Sequence, residues 1–394
     1  MTMTMPETLE SLTPEQRAVI RRAEQIALFA PPESLENYTP KAIDVLLDRV
    51  VDTGASDLHL YADKAPWSSL FGQTLPMSAK ILDWKTVANL LRDMVSDAEW
   101  DKFVRTRRLD FGYQNPKSRF RAHFGVSHGV PYGVFRTINN RVPDLEDLKV
   151  PDIIGSFSQF TSGLVLFVGV TGSGKSSLQA GLVKKKNAED SHKIVTIEEP
   201  IEYRHTDDKC LITQREVGPG RDVESFAIGV QDAMREAPDM ILVGEMRDPE
   251  TVSAALSAAS SGHLVFSTLH AESTADAPTR ILDGTPVGRV NEVRAQLSRT
   301  LRAVVYQRLL PAVGGNGRVA ATEVLIMNSA IANMIRQNEL EGIAGQLNSK
   351  DTGSIPFEVS LANLVLDGKV MRSVAEKVEI RSGSLKEQLE AGRR

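Results

Sequence analysis

Apolar and polar residues alternate in short segments over the first third of the chain, and this pattern predicts a domain of mixed helices and strands. The segment AIDVLLDRVV (42–51) has the spacing of an amphipathic helix, whereas SDLHLYA (56–62) and FRAHFGV (120–126) alternate as half-buried strands do. Residues 1–40 are polar and contain prolines that interrupt helices. We therefore expect an N-terminal extension over 1–40 and an α+β domain over 41–140.

After residue 160 the pattern changes to nearly continuous apolar runs, which are typical of strands buried on both faces of a parallel sheet. These runs are GLVLFVGV (163–170), KIVTIEE (193–199), DMILVGEM (239–246) and HLVFSTLH (263–270). Helix-like stretches separate them, so the fold class is predicted to be α/β with a parallel sheet. The boundaries that follow are a linker over 141–151, an α/β domain over 152–330 and a mostly helical C-terminal segment over 331–394.

The first apolar run leads directly into GVTGSGKS (169–176), which fits the pattern G-x-x-x-x-G-K-[ST] and is followed by a helix-like segment. Glycines in such a loop let backbone N–H groups point at phosphate oxygens, and the helix N-terminus adds positive potential. Lys175 would reach the β- and γ-phosphates of ATP, and the Ser176 hydroxyl would ligate Mg²⁺. A chance Gly/Ser turn would not require the flanking strand and helix. The predicted nucleotide-binding residues are Gly169, Val170, Thr171, Gly172, Ser173, Gly174, Lys175, Ser176 and Ser177.

Each of the four apolar runs ends in polar side chains, and ligands of open parallel sheets bind beyond the carboxyl ends of the strands. These side chains are Glu198, Glu199 and Glu202 after the second run, Glu245, Arg247 and Asp248 after the third, and Thr268 and His270 in the fourth, with His263 at its entrance. One acid of the first group would orient the attacking water, and Glu245 would hold the metal directly or through water. Capping of the following helices is the alternative role for the acids. For His263 and His270, the residues alone leave a structural role and a γ-phosphate contact both open.

A basic stretch precedes the predicted linker, with nine basic residues and one acid, Asp110, between Lys102 and Arg141. It can be a solvated surface, a nucleic-acid patch with interleaved aromatic residues, or a source of arginines that contact bound ATP. Arg121 and Arg136 are bracketed by apolar residues on predicted strands, which favours the ATP contact for these two. The net charge of −5 over 394 residues argues against a dedicated nucleic-acid coat.

Composition adds little to this picture. The single cysteine cannot form an internal disulfide, which fits a reducing compartment. The start of the chain does not have the pattern of a signal peptide, and no apolar run approaches the length of a membrane span. These features predict a soluble cytoplasmic protein.

Taken together, the motifs resemble those of the secretion-superfamily ring ATPases, and most closely the PilT type. That group includes pilus retraction motors and the related DotB/TraJ ATPases of type IVB secretion and conjugation. GASDLHL is similar to the N-domain signature of the family, and SRFRAHF and GVFRT are similar to its arginine-bearing strands. GVTGSGKSS resembles the Walker A loop, IVTIEEPIEY the Asp box, ILVGEMRDPET the Walker B motif and SSGHLVFSTLHAES the His box. The resemblance runs from about residue 42 to 366.

The resemblance implies a P-loop (RecA-like) ATPase domain after a PAS-like N-terminal domain, with ATP and Mg²⁺ as cofactors and a homo-hexamer as the assembly. It implies that Glu202 is the catalytic glutamate, that Glu245 is the Walker B glutamate and metal ligand beside Ser176, and that Arg121 and Arg136 contact ATP. His263 and His270 fall on the His box. The implied partners are inner-membrane proteins of a secretion or pilus apparatus, with a cytoplasmic location peripheral to that membrane. Direct binding of nucleic acid is not expected.

Several departures from the family pattern bear on the pathway. The Walker A loop ends in Ser-Ser rather than Ser-Thr, GPGRD (218–222) is longer than the usual connection, an arginine of the retraction motors is replaced at Ala332, and some forty residues precede the N-terminal domain. The last three of these departures favour a motor of type IVB secretion or conjugative DNA transfer, with pilus retraction as the alternative. A DNA translocase and a slow nucleotide-switch scaffold are the alternatives from other classes.

Overall fold

The computed structural model describes residues 41–70, 73–138, 141–218, 221–314, 317–348 and 353–392. The predicted N-terminal extension lies outside these residues. Contacts divide the chain into two compact units, the first ending at Thr137 and the second beginning at Ile138. Within the described residues, no helix combines the length and the apolar character that crossing a membrane requires.

The first unit contains an antiparallel sheet with helices on one face. Its helices are α1 (Asp44–Asp52), α2 (Trp84–Arg92) and α3 (Asp97–Thr106). Its strands are β1 (Asp57–Leu60), β2 (Trp67–Leu70), β3 (Gln73–Pro76), β4 (Leu109–Gln114), β5 (Arg119–Ser127) and β6 (Val130–Ile138). The spatial order is β3-β2-β1-β6-β5-β4.

The alternating pattern of β5 determines which side of this sheet is buried. Phe120 and Phe124 are fully buried and belong to one apolar cluster with Leu47 of α1 and Phe103 of α3. Because successive side chains of a strand point to opposite faces, Arg121 lies on the other, exposed face. The predicted α+β character of this segment is confirmed.

The second unit is built on a seven-stranded sheet. Its strands are β7 (Gly163–Val168), β8 (Lys193–Glu198), β9 (Leu211–Glu216), β10 (Met240–Val243), β11 (Leu264–Leu269), β12 (Leu301–Pro311) and β13 (Arg318–Ile326). The order is β13-β12-β7-β11-β10-β8-β9. All neighbours from β12 to β9 pair in parallel, and β13 pairs with β12 in the antiparallel direction.

Helices surround this sheet and continue to the end of the described chain. They are α4 (Leu145–Leu148), α5 (Asp152–Gly155), α6 (Lys175–Glu189), α7 (Phe226–Ala233), α8 (Pro249–Ser260), α9 (Asp276–Asp283), α10 (Val290–Thr300), α11 (Ser329–Gln337), α12 (Ile343–Gln346), α13 (Phe357–Leu366), α14 (Arg372–Ala375) and α15 (Ser384–Ala391). Alternate residues of β7 enter two apolar clusters, with Leu166 in one and Phe167 in the other. The sheet is therefore covered on both faces, as its continuous apolar runs predict.

The structure confirms the predicted α/β class, with a smaller unit before the parallel sheet and helices toward the C-terminus. It also adds β9, β12 and β13 to the four predicted strands. The segment 141–151, expected as a linker, contains α4, whose Leu145 and Leu148 pack against an apolar cluster of the second unit.

Candidate active site

The loop between β7 and α6 has a backbone that requires glycine. Gly169, Gly172 and Gly174 have φ values of +143°, +76° and +90°, in the region that other residues rarely adopt. A Cβ added at Gly169 would lie 2.4 Å from the carbonyl oxygen of Gln307, and one at Gly174 would lie 2.6 Å from Gln307 Nε2. At Gly169 and Gly174 both the backbone conformation and the packing therefore exclude a side chain, whereas at Gly172 the backbone conformation alone favours glycine. The loop leads directly into the N-terminus of α6, as an anion-binding loop should.

Lys175, the first residue of α6, turns back over this loop. Its Nζ donates to the carbonyl oxygens of Gly169 at 2.8 Å and Val170 at 3.1 Å. Burial lowers the pKa of Lys175, while the negative charges of Glu245 and Glu202 act in the opposite direction. The ammonium group is thus held at the loop within the field of two carboxylates that come from different strand ends.

Gln307 supports the loop from β12, which lies beside β7 in the sheet. It is buried, and its Nε2 donates to the carbonyl oxygen of Ser173 at 2.8 Å. Sequence reasoning did not include this residue among the site residues. The signal that could have identified it is a polar residue inside the apolar segment AVVYQRLL (303–310).

Glu245 follows β10 and is bound on both carboxylate oxygens. Arg247 donates to Oε2 at 2.7 Å, and His270 Nε2 lies 3.2 Å from Oε1. The hydrogen bond to Glu245 raises the pKa of the Arg247 guanidinium. Thr268 donates its hydroxyl to the carbonyl oxygen of Gly244 at 2.7 Å, which ties the ends of β10 and β11 together. Glu245 and His270, predicted from separate motifs, are therefore in contact.

Glu198 and Glu202 differ in environment although only three residues separate them. The Glu198 carboxylate accepts hydrogen bonds from the Thr196 hydroxyl at 2.7 Å, from Gln214 Nε2 at 3.2 Å and from the backbone N–H of Glu202. Burial raises its pKa from 4.5 to about 7. Glu202 is exposed, and its charge acts on Lys175. Of these two acids, Glu202 is thus the one that is available to a water molecule at the loop.

The raised pKa of Glu198 predicts a pH-dependent stability. A carboxyl group whose pKa is higher in the folded state favours folding fully below pH 4.5 and loses that contribution as the pH rises through about 7. We expect the Glu198→Gln variant to lack this dependence and to gain about 2.5 kcal/mol relative to the wild type between pH 5 and pH 8. Urea unfolding of the two proteins at both pH values measures the difference. Equal pH dependence of the two unfolding free energies would contradict this interpretation.

The structure does not bring every predicted residue to this edge. His263 precedes β11 and therefore lies at its amino end, about 20 Å along the strand from His270. There its Nδ1 lies 3.0 Å from the Ser261 hydroxyl and from the carbonyl oxygen of Ala258. Asp248 caps α8 by accepting the backbone N–H of Thr251 at 2.8 Å, which is the alternative role considered for these acids.

Arg121 and Arg136 belong to the first unit. Both are exposed on the face of its sheet that is opposite the buried Phe120 and Phe135. Arg136 donates its Nε to Asp57 Oδ1 at 2.9 Å, directly across the strand pair β1 and β6. Their guanidinium groups are thus presented on one surface of that unit.

Ser176 and Glu245 are the predicted metal ligands. Among the described residues, no group of three or more His, Cys, Asp or Glu side chains is arranged to hold a metal ion. A Mg²⁺ ion that accompanies a nucleotide takes most of its ligands from phosphates and water and needs one or two protein groups. A hydroxyl and a carboxylate at the phosphate loop fit this requirement.

Comparison with known proteins agrees with this geometry. The family model described as "Type II/IV secretion system protein" matches residues 151–362. The chain is 39% identical over 331 residues to the type IV pilus retraction ATPase PilT of Pseudomonas aeruginosa, which corresponds to 83% of this chain and 95% of that protein.

Two solved structures are similar over most of the chain. The crystal structure of the pilus retraction motor PilT with bound ADP superposes with a TM-score of 0.80 at 34% identity and covers 89% of this chain and 100% of that one. The structure of the Legionella pneumophila ATPase DotB gives a TM-score of 0.75 at 25% identity, with 88% and 97% covered. The chain therefore belongs to the type II/IV secretion system protein family and is an ATP hydrolase of the PilT type.

Proposed function

We propose that this chain is a hexameric motor that uses ATP hydrolysis to retract a type IV pilus or a closely related filament. The observation that carries the proposal is the 39% identity to a pilus retraction ATPase over 95% of the length of that protein. The structural similarity to DotB is lower in both identity and TM-score. The comparisons thus favour the alternative, retraction, over the type IVB or conjugative role to which the departures in the sequence pointed.

The residues at the carboxyl edge of the sheet support a division of roles in hydrolysis. The loop amides and Lys175 would bind the β- and γ-phosphates, and Lys175 would neutralise the charge that moves onto them. Mg²⁺, held by Ser176 and Glu245, would supply additional positive charge. Glu202 would orient the attacking water and accept its proton, and His270, in contact with Glu245, would sense the γ-phosphate.

The arginines of the first unit are proposed as further contacts of bound ATP. Arg121 and Arg136 are exposed on one face of the antiparallel sheet, and their guanidinium groups can bind phosphate oxygens. An arginine that reaches a transferring phosphoryl group accelerates hydrolysis by about 10³- to 10⁵-fold in other nucleoside triphosphatases. In a ring, such arginines would make hydrolysis depend on the position of the first unit.

A motor of this kind would work in the cytoplasm, bound to membrane proteins at the base of the filament.

The DNA-translocase alternative receives less support, because basic residues of the stretch from Lys102 to Arg141 are engaged in ion pairs. Lys117 pairs with Asp52, and Arg141 pairs with Asp147. Stimulation of hydrolysis by single-stranded DNA with a steep salt dependence would favour that alternative.

Replacement of the native chain by its Glu245→Gln variant in the host tests the proposed pathway. The neutral amide should leave nucleotide binding intact and lower turnover, so we expect surface filaments to accumulate and retraction to stop. DNA transfer should continue at its normal frequency. The exposed Glu250, five residues further on, provides the control variant Glu250→Gln, which should retract normally. Normal retraction in Glu245→Gln cells with a collapse of DNA transfer would overturn the retraction proposal.

A further inference from the structure

Ser177, in the first turn of α6, connects the phosphate loop to the segment that carries Glu202. Its hydroxyl oxygen lies 2.8 Å from the hydroxyl oxygen of Tyr203, in a hydrogen bond. Tyr203 directly follows Glu202, and Ser177 is two residues after Lys175. Burial raises the pKa of Tyr203, so its hydroxyl stays protonated near neutral pH. One hydrogen bond thus spans the two halves of the candidate active site.

Gln214 of β9 also holds the segment that carries Glu202, through hydrogen bonds to its backbone. Its Nε2 donates to the carbonyl oxygen of Tyr203 at 2.9 Å and to Glu198 Oε1 at 3.2 Å. Its Oε1 accepts the backbone N–H of His205 at 2.8 Å. Since Glu198 also accepts the backbone N–H of Glu202, the main chain is bound at three positions within four residues.

A second attachment of this segment lies away from the site. Asn187, near the end of α6, donates its Nδ2 to the carbonyl oxygen of Thr206 at 2.8 Å, and its Oδ1 accepts the backbone N–H groups of Asp208 and Cys210, both at 3.1 Å. Asn187 is about 18 Å along the helix from Lys175. The segment 203–210 is therefore tied to α6 at both ends, and only the Tyr203 end is next to the phosphate loop.

We propose that Tyr203 is a positioning residue that sets the distance of Glu202 from the phosphate loop, through its hydroxyl bond to Ser177 and its carbonyl bond to Gln214. A carboxylate that orients a water molecule must be held within a fraction of an ångström, and a displacement of 1 Å can cost about 10²-fold in rate. Glu202 is exposed, so its place depends on the backbone on either side of it. The inference rests on the proposed hydrolysis at this site.

Variants that remove only the hydroxyl bond test the inference. Tyr203→Phe and Ser177→Ala should each lower kcat for ATP about 10-fold, with KM changed less than about twofold. Because both substitutions break one shared bond, the double variant should have the kcat of the single variants. Ser177→Thr retains a hydroxyl and should lose less turnover than Ser177→Ala. Independent, multiplying losses in the double variant would overturn the inference.

Asn187→Ala is the matched control, since it loosens the same segment at its distant end. We expect this variant to lower the melting temperature while kcat changes less than in Tyr203→Phe. Tyr203→Phe should keep the ADP affinity and melting temperature of the wild type. An equal loss of kcat in Asn187→Ala, or a loss in Tyr203→Phe that is accompanied by lower ADP affinity, would show general loosening and would overturn the positioning role.

Wild-type turnover separates this inference from the proposed function. If the wild-type chain hydrolyses ATP and Tyr203→Phe retains its kcat, the role of Tyr203 is wrong and the motor proposal is unaffected. If Tyr203→Phe loses kcat as expected but Glu245→Gln cells retract filaments normally, the positioning role stands and the retraction proposal is wrong.

Discussion

The Lys175→Ala variant is expected to lose ATP turnover by at least about 10³-fold while it retains its fold. Lys175 provides a positive side-chain charge at the phosphate loop, where its Nζ lies 2.8 Å from the Gly169 carbonyl oxygen. Burial disfavours the charged form of this side chain, as its lowered pKa indicates, so its removal relieves a cost of folding. The melting temperature should therefore stay within about 3 °C of the wild type.

Phosphate release and thermal unfolding of purified Lys175→Ala protein measure these two effects. Lys185 lies on the same helix, on its surface, and pairs with Glu189. Lys185→Ala is thus a control for the loss of a lysine from α6 and should hydrolyse ATP at the wild-type rate. Turnover above a tenth of the wild-type rate in Lys175→Ala would remove the phosphate-loop assignment.

The Glu202→Gln variant should lose about 10²- to 10⁴-fold in kcat, with the affinity for ADP nearly unchanged. Its carboxylate is the proposed base, and the substitution keeps its size and removes its capacity to accept a proton. Glu202 is exposed, so stability should change little. Single-turnover hydrolysis and ADP titration separate the chemical step from binding.

Glu199 provides the control for this variant, since it lies three residues before Glu202 in the same segment. It is exposed, and its Oε2 is 3.7 Å from Arg247, an arrangement that contributes little to stability. Glu199→Gln should reduce kcat by less than about threefold. A large loss in Glu199→Gln with a small one in Glu202→Gln would transfer the role of base to Glu199.

The sequence predicted those parts of the site that depend on local pattern and strand direction. The phosphate loop follows from the spacing of Gly169, Gly174 and Lys175. The meeting of Glu245 with His270 follows from the rule that parallel strands end at one edge, and the contact is present. The same rule places His263 at the opposite end of β11, although the resemblance to the His box grouped it with His270.

Contacts between distant segments were not predicted. The position of the phosphate loop depends on Gln307, which lies on β12. This strand pairs with β7 although more than 130 residues separate the two in the sequence. Likewise the difference between Glu198 and Glu202 depends on Gln214, which reaches Glu198 from β9. β9 and β12 contain polar and charged residues among their apolar ones, so neither matches the continuous pattern of the other strands.

The departures from the family motifs did not identify the pathway. Three departures pointed to type IVB secretion: the extension over residues 1–40, the long connection GPGRD (218–222) and Ala332 on α11. None of them is a residue of the phosphate-loop motif or one of the proposed catalytic acids Glu202 and Glu245, so the chemistry of the site does not constrain them. Whole-chain similarity carries the information about pathway, and it favours retraction.

Phosphate release by the purified wild-type chain in ATP and Mg²⁺ tests the central claim most directly. The account predicts saturable release that stops when Mg²⁺ is chelated and is absent from the Lys175→Ala protein measured beside it. Release at the same rate in the two proteins, or none from the wild type, would contradict the claim that Lys175, Glu202 and Glu245 form a site of ATP hydrolysis.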